Sequence, residues 1–170
     1  MIARRLLFAL PLLPMLGGCG WEPLYANRAA GPASAELRTI KVAPISERIG
    51  QRLEMALRRA LNPDNEPAPT KYQLIVTLST SVGDLGIQSE GLGTRGEVAV
   101  TAGYQLVDVS TKAAVQSGSV HATESFDIQA NGYSTVVAQN DAYVRTIGEI
   151  QREIVTRLTL LLQKKALAAS

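Results

Sequence analysis

The chain has 170 residues, 17 of them Lys or Arg and 15 Asp or Glu, for a formal net charge of +2. Arg4 and Arg5 have no acidic counterpart within residues 1–18, so residues 19–170 are formally neutral, without the clustered positive surplus of a nucleic-acid surface. A single cysteine excludes an internal disulfide, so the fold must hold by packing alone, and residues 19–170 are enough for one domain with a real core.

Residues 1–5 are short and positive, and Leu6 to Leu16 is apolar apart from Pro11 and Pro14. Gly17 and Gly18 follow. This is the n-region, h-region and small-residue end of a secretory signal, assigned to residues 1–18. The apolar run is well short of the roughly 20 residues that a spanning helix needs, and its prolines oppose a helix. Leu16-Gly17-Gly18-Cys19 resembles the lipobox of bacterial lipoproteins, in which the cysteine becomes the lipid-modified first residue. Cys19 is then an attachment point. In well-studied lipoproteins an aspartate after the cysteine retains the protein at the inner membrane; Gly20 stands there, so the resemblance implies the outer membrane. Acyl chains add about 0.8 kcal/mol per buried methylene, which makes a multi-chain anchor effectively permanent. Residues 19–35 are expected to be anchor and flexible tether, because 26–35 are small, polar and interrupted by Gly31 and Pro32.

Residues 36–170 are expected to form one domain. Arg38, Ile40 and Val42 alternate with Thr39 and Lys41, a short first strand ending near Pro44. Ser46 fits an N-cap, with Glu47 in the first turn. Ile49, Leu53, Ala56, Leu57, Ala60 and Leu61 recur at helical spacing until Asn62-Pro63 stops the run. Tyr72, Leu74, Val76 and Leu78 share one face of a second strand. Val98, Val100, Ala102, Tyr104 and Leu106 share one face of a third, after a Gly-rich loop over residues 83–94. A turn over Asp108 to Lys112 leads into a fourth strand, residues 115–125. From Ser134 or Thr135 to about Leu167 there is no proline, and Val144, Ile147, Ile150, Ile154, Leu158 and Leu161 mark an apolar stripe. Arg145 with Glu149 and Glu153 with Arg157 stand four apart on that helix.

The order β-α-β-β-β-α predicts an α+β two-layer sandwich: a four-stranded mixed sheet with two helices packed on one face. The other sheet face should be small and polar, with Thr77, Ser79, Thr101, Gly103 and Gln105 among its members.

Three features suggest chemistry and do not support it. "GLGTRG", residues 91–96, matches a dinucleotide-binding pattern, but an alternating strand follows where that turn must open a helix. His121 is the only histidine, in a Ser/Thr-rich strand with no nucleophile elbow, which leaves no zinc set and no triad. Asp84 and Glu90 lie in a loop with no surroundings to split their pKa values. No enzyme, metal or cofactor is expected beyond the covalent lipid on Cys19.

The start Cys19-Gly20-Trp21, with Pro23-Leu24-Tyr25, the turn "LVDVSTKAAVQSGS" and the segment "YSTVVAQNDAYVR" resemble LptE, the lipopolysaccharide-assembly lipoproteins, in their alphaproteobacterial form. The resemblance spans residues 19–170 and implies a non-catalytic role: a protein seated in the lumen of the LptD outer-membrane β-barrel, supporting its assembly and the delivery of lipopolysaccharide to the outer leaflet. Direct binding of lipopolysaccharide phosphates calls for cations, and Lys71, Arg95 and Lys112 are the candidates on loops or strand ends. An auxiliary lipoprotein of an ABC-type periplasmic lipid-transport system is the alternative; a lipid-anchored hydrolase using His121 is a third reading.

Overall fold

The structure is a computed structural model that describes residues 32–87 and 93–168. Cys19 and the segments read as signal and anchor lie outside the described residues. In chain order the elements are α1 (Pro32–Leu37), β1 (Ile40–Val42), α2 (Glu47–Leu61), β2 (Tyr72–Ile87), β3 (Gly93–Asp108), β4 (Ala114–Asp127) and α3 (Gly132–Ala168). The sheet order is β1-β2-β3-β4, with β1 parallel to β2 and the other two pairings antiparallel. This is the expected mixed four-stranded α+β sandwich, with three helices rather than two. Short α1 occupies residues 32–37, so the end of the stretch read as tether is helical.

The register explains the core. On one sheet face Leu74, Val76, Val98, Val100, Ala102, Tyr104, Leu106, Val120, Ala122 and Phe126 are buried. Leu53, Leu57 and Leu61 of α2, with Ile147, Ile150, Ile154, Leu158 and Leu162 of α3, cover that face. Two cross-strand pairs interlock aromatic rings with glycine. Tyr104 lies over its partner Gly118, and Phe126 lies over Gly96; a Cβ at these glycines would come within 2.8 Å of the Tyr104 hydroxyl and 2.4 Å of the Phe126 ring.

Two expectations on boundaries change. The loop read over residues 83–94 is largely strand: β2 runs to Ile87 and β3 begins at Gly93, paired across register shifts between Asp84 and Gly86 and between Gly86 and Ile87. Glycine-rich sequence reads as loop, but a partner strand supplies the pairing that propensity does not. Likewise α3 starts two residues before Ser134, because the Asn131 side chain accepts the Tyr133 N–H at 3.0 Å and caps it. At the start of α2, Ser46 holds the N-cap position with no side-chain cap bond. The stripe of α3 also shifts. Val144 is 52% exposed and Leu161 half-buried, while Ala142, Thr146, Val155 and Leu162 face the core. Thr146 is tolerated there because its hydroxyl donates to the Ala142 carbonyl at 2.9 Å. The Glu153–Arg157 pair forms at 2.7 Å. Arg145 pairs with Asp141 and Glu124 instead of Glu149, which pairs with Arg152.

Candidate interaction surface: the uncovered sheet face and its edges

Every helix described packs on one side of the sheet, so the side chains of alternate residues on β2, β3 and β4 point away from the core. Registered rows across this face read Ile75–Gln105–Ser117, Thr77–Gly103–Ser119, Ser79–Thr101–His121 and Ser81–Ala99–Thr123. Apart from Ile75 the side chains are small or polar, as the alternation predicts. The surface is close to flat where Gly103 has no side chain and the Thr77 hydroxyl reaches its carbonyl at 3.4 Å.

His121 is the one titratable group in these four rows. Its Nδ1 lies 3.0 Å from the Thr101 hydroxyl and its Nε2 3.0 Å from the Thr123 hydroxyl, so both nitrogens are engaged by threonines. Among the described residues no carboxylate hydrogen-bonds to it, and no group of three or more His, Cys, Asp or Glu side chains has the spacing of a metal site. A triad base needs an acid behind it and a nucleophile that it can deprotonate into a cleft. His121 stands on an open face between two equivalent hydroxyls.

The three candidate cations do not form one site. Lys71 directly precedes β2, exposed, with its ammonium 3.9 Å from Glu36. Lys112 lies in the β3–β4 turn at the same end of the sheet, where the Val109 N–H donates to the Lys71 carbonyl at 2.9 Å. Arg95 pairs across from Asp127 at the far end of β3. At roughly 3.4 Å per residue, a 13-residue stretch of β3 holds Arg95 some 40 Å from the turn.

Each cation end has its own acids. The Asp108 carboxylate accepts from the Ser110 N–H at 2.8 Å, the Ser110 hydroxyl at 2.5 Å and the Thr111 N–H at 3.1 Å. The Ser110 hydroxyl first, then the two backbone N–H groups, holds this carboxyl below its ordinary value. Lys112 takes the left-handed conformation at φ 58° that closes the turn. On the far side, Arg95 shares a shallow cleft with Asp127, Asp141 and Arg145.

Sequence patterning does not show the edges of the sheet. β4 is one edge strand. The Arg157 guanidinium donates to the Ser119 carbonyl at 3.0 Å, and Arg145 donates to the Ser125 carbonyl at 3.1 Å. Both arginines come from α3, 12 positions apart and so about 18 Å along the helix, which matches six strand residues at about 3.3 Å each. They cover outward carbonyls that would otherwise invite another strand. The carboxylate of Glu153 holds Arg157 in place and, with Tyr104, keeps the guanidinium charged.

No family model matches the chain, and no curated protein matches it. Solved structures do. A candidate lipoprotein from Caulobacter crescentus is 24% identical, with a TM-score of 0.62 over 77% of this chain and 96% of that one. A minor lipoprotein from Acinetobacter baumannii is 14% identical, with a TM-score of 0.57 over 72% and 92%. A hypothetical protein from Chlamydia trachomatis is 10% identical, with a TM-score of 0.51 over 72% and 96%. The chain shares its two-layer fold with bacterial lipoproteins. At these identities the likeness is one of fold.

Proposed function

We propose that the protein is an LptE-type lipoprotein: acylated at Cys19, held at the outer membrane, and associated with an LptD-type β-barrel as a plug and assembly factor that assists lipopolysaccharide delivery. It performs no catalytic step. The observation that carries this reading is the uncovered sheet face. A body that seats in a wet barrel lumen needs a surface of small, hydrogen-bonding side chains, which lose little on partial desolvation and fit against an irregular wall. Rows such as Thr77–Gly103–Ser119 supply one. The fold shared with bacterial lipoproteins and the lipobox at residues 16–19 support the same reading.

Direct contact with lipopolysaccharide phosphates falls to one end of the sheet at a time. Lys71 and Lys112 offer two exposed lysines at one end, and Arg95 stands beside Asp127 at the other.

Affinity purification of the tagged protein from detergent-solubilised outer membranes tests the reading. A large β-barrel at near one-to-one stoichiometry is the expected result. Transporter subunits in its place would move the protein to the ABC-type auxiliary lipoproteins, and recovery of the protein alone would remove the barrel partnership.

A further inference from the structure

We propose that the outer surface of the helical layer, where α2 meets the first turns of α3, lies against an anionic phospholipid membrane and turns the sheet face away from it. α2 buries Leu53, Leu57 and Leu61 and exposes Arg48, Gln51, Met55, Arg58 and Arg59. Glu54 holds Arg58 at 2.7 Å and accepts the Ile45 N–H, which leaves Glu47, at the first residue, as the one exposed acid of the helix. Among the described residues, no carboxylate pairs with Arg48, Arg52 or Arg59. Arg52 donates instead to the Asn140 side chain of α3 at 2.9 Å, a neutral partner that leaves its charge uncompensated.

That bond joins the basic side of α2 to an apolar side of α3. Tyr133, Val136, Val137 and Val144 are exposed, Tyr133 at 77%. Tyr133, Val137, Asn140 and Val144 follow one another at spacings of four, three and four, which places them in one stripe along the helix. β1 and β4 both run parallel to β2, and α2 and α3 each return over the sheet from such a strand, so the two helices descend the layer in the same direction. Met55 stands three residues past Arg52 and Val144 four past Asn140, each about one turn below the bond that links the helices.

Unpaired arginines beside an exposed apolar stripe are the chemistry of a surface that lies in the headgroup region. Guanidinium groups meet lipid phosphates, valine and methionine enter the acyl boundary, and a tyrosine sits at its watery edge. The stripe stands on the outside of the helices rather than in a groove, which suits a bilayer that conforms to it. The opposite surface lacks these features: the four rows of the sheet face hold no lysine or arginine. The reach is available as well. From Cys19 to Pro32, the start of α1, is 13 residues, about 45 Å at full extension. The tether rests on the acylation proposed above; the basic and apolar face does not, and it is separate from the surface assigned to the barrel.

An environment-sensitive fluorophore on a single introduced thiol tests the docking in the purified acylated protein, whose own cysteine is blocked by its lipid. On phosphatidylcholine vesicles containing about one quarter phosphatidylglycerol, label at Val137→Cys is expected to gain at least about threefold in emission over phosphatidylcholine alone. Label at Ser79→Cys, on the sheet face, should change by less than about a third. Arg48→Gln with Arg59→Gln should return the signal at residue 137 close to its neutral-vesicle value at an unchanged melting temperature. Each arginine near such a surface contributes about fivefold to the docking equilibrium. Salt at about 0.5 M should act in the same way. Label on the wild-type chain, or failure to float with phosphatidylcholine vesicles, would overturn the acylation and not the face, which flotation of the arginine variant with anionic vesicles still decides. Equal emission at residue 137 on both vesicles, or a larger gain at residue 79, would overturn the docking. So would a photo-crosslinker at residue 137 that captures one discrete protein in cells, which would give the face to that protein.

Discussion

The Asp108 carboxylate gathers the Ser110 hydroxyl and the Ser110 and Thr111 N–H groups, and Lys112 completes the turn in the left-handed region. Its pKa is lowered from 3.8 by those donors. A depressed carboxyl contributes stability that is fully present above its unfolded-state value and is lost as pH falls through the folded one. Asp108→Asn should therefore melt below the wild type at pH 7, and the gap should close as pH falls below about 3.8, as thermal melts across pH 2–7 would show. That a turn lies here is legible in the sequence, because Asp, Ser and Thr at these spacings hydrogen-bond their own backbone. That Lys112 serves the turn by its backbone conformation is not legible. From sequence alone its charge is the conspicuous property, and nothing in the residue type announces a positive φ. His121 shows the same limit. Its strand, its outward face and Thr123 two residues along follow from alternation, whereas Thr101 is brought beside it only by the register of β3 against β4.

At the scale of elements, the periodicity of α3 identifies its core face to within one turn. Ile147, Ile150, Ile154 and Leu158 are buried as their spacing predicts. Val144 stands between Ala142 and Thr146, both fully buried, so its position around the helix, not along it, leaves it in solvent. The two valine and isoleucine sites give a sharp comparison. Ile154→Ala empties a fully buried site and should cost about 2–5 kcal/mol in chemical denaturation. Val144→Ala should stay within about 0.5 kcal/mol, as an exposed position does. Equal losses would mean that Val144 is packed in solution. The strands show the complementary failure. Residues 80–87 and 93–97 lack the apolar alternation of a covered strand, and their glycines and serines read as loop. Their pairing comes from β2 and β3 extending each other beyond the core. The helix start at Gly132 was hidden for a similar reason: Asn131-Gly132 reads as a turn, and only the cap to the Tyr133 N–H turns it into an N-terminus.

At the scale of the molecule, the fold class follows from element order, because one apolar stripe per helix and one apolar face per strand can close in few ways. Strand order and edges do not follow. A period of two says which face a residue occupies and is silent on which strand lies beside it. The guarded β4 edge, the open β2 edge and the separation of Arg95 from Lys71 and Lys112 are all properties of that order. The small-residue face is the one large surface feature that both sequence and structure give, and the proposed barrel association rests on it. Site-specific photo-crosslinking in cells tests that association most directly, with the probe placed at Thr77, Ser119 or Thr123 on the sheet face and at Met55 or Arg59 on the exposed side of α2. Adducts of a barrel-sized outer-membrane protein at the sheet positions, stronger than at Met55 or Arg59, are the predicted result. Probes on the sheet face that capture no barrel, while the protein remains folded and membrane-bound, would contradict the proposed role.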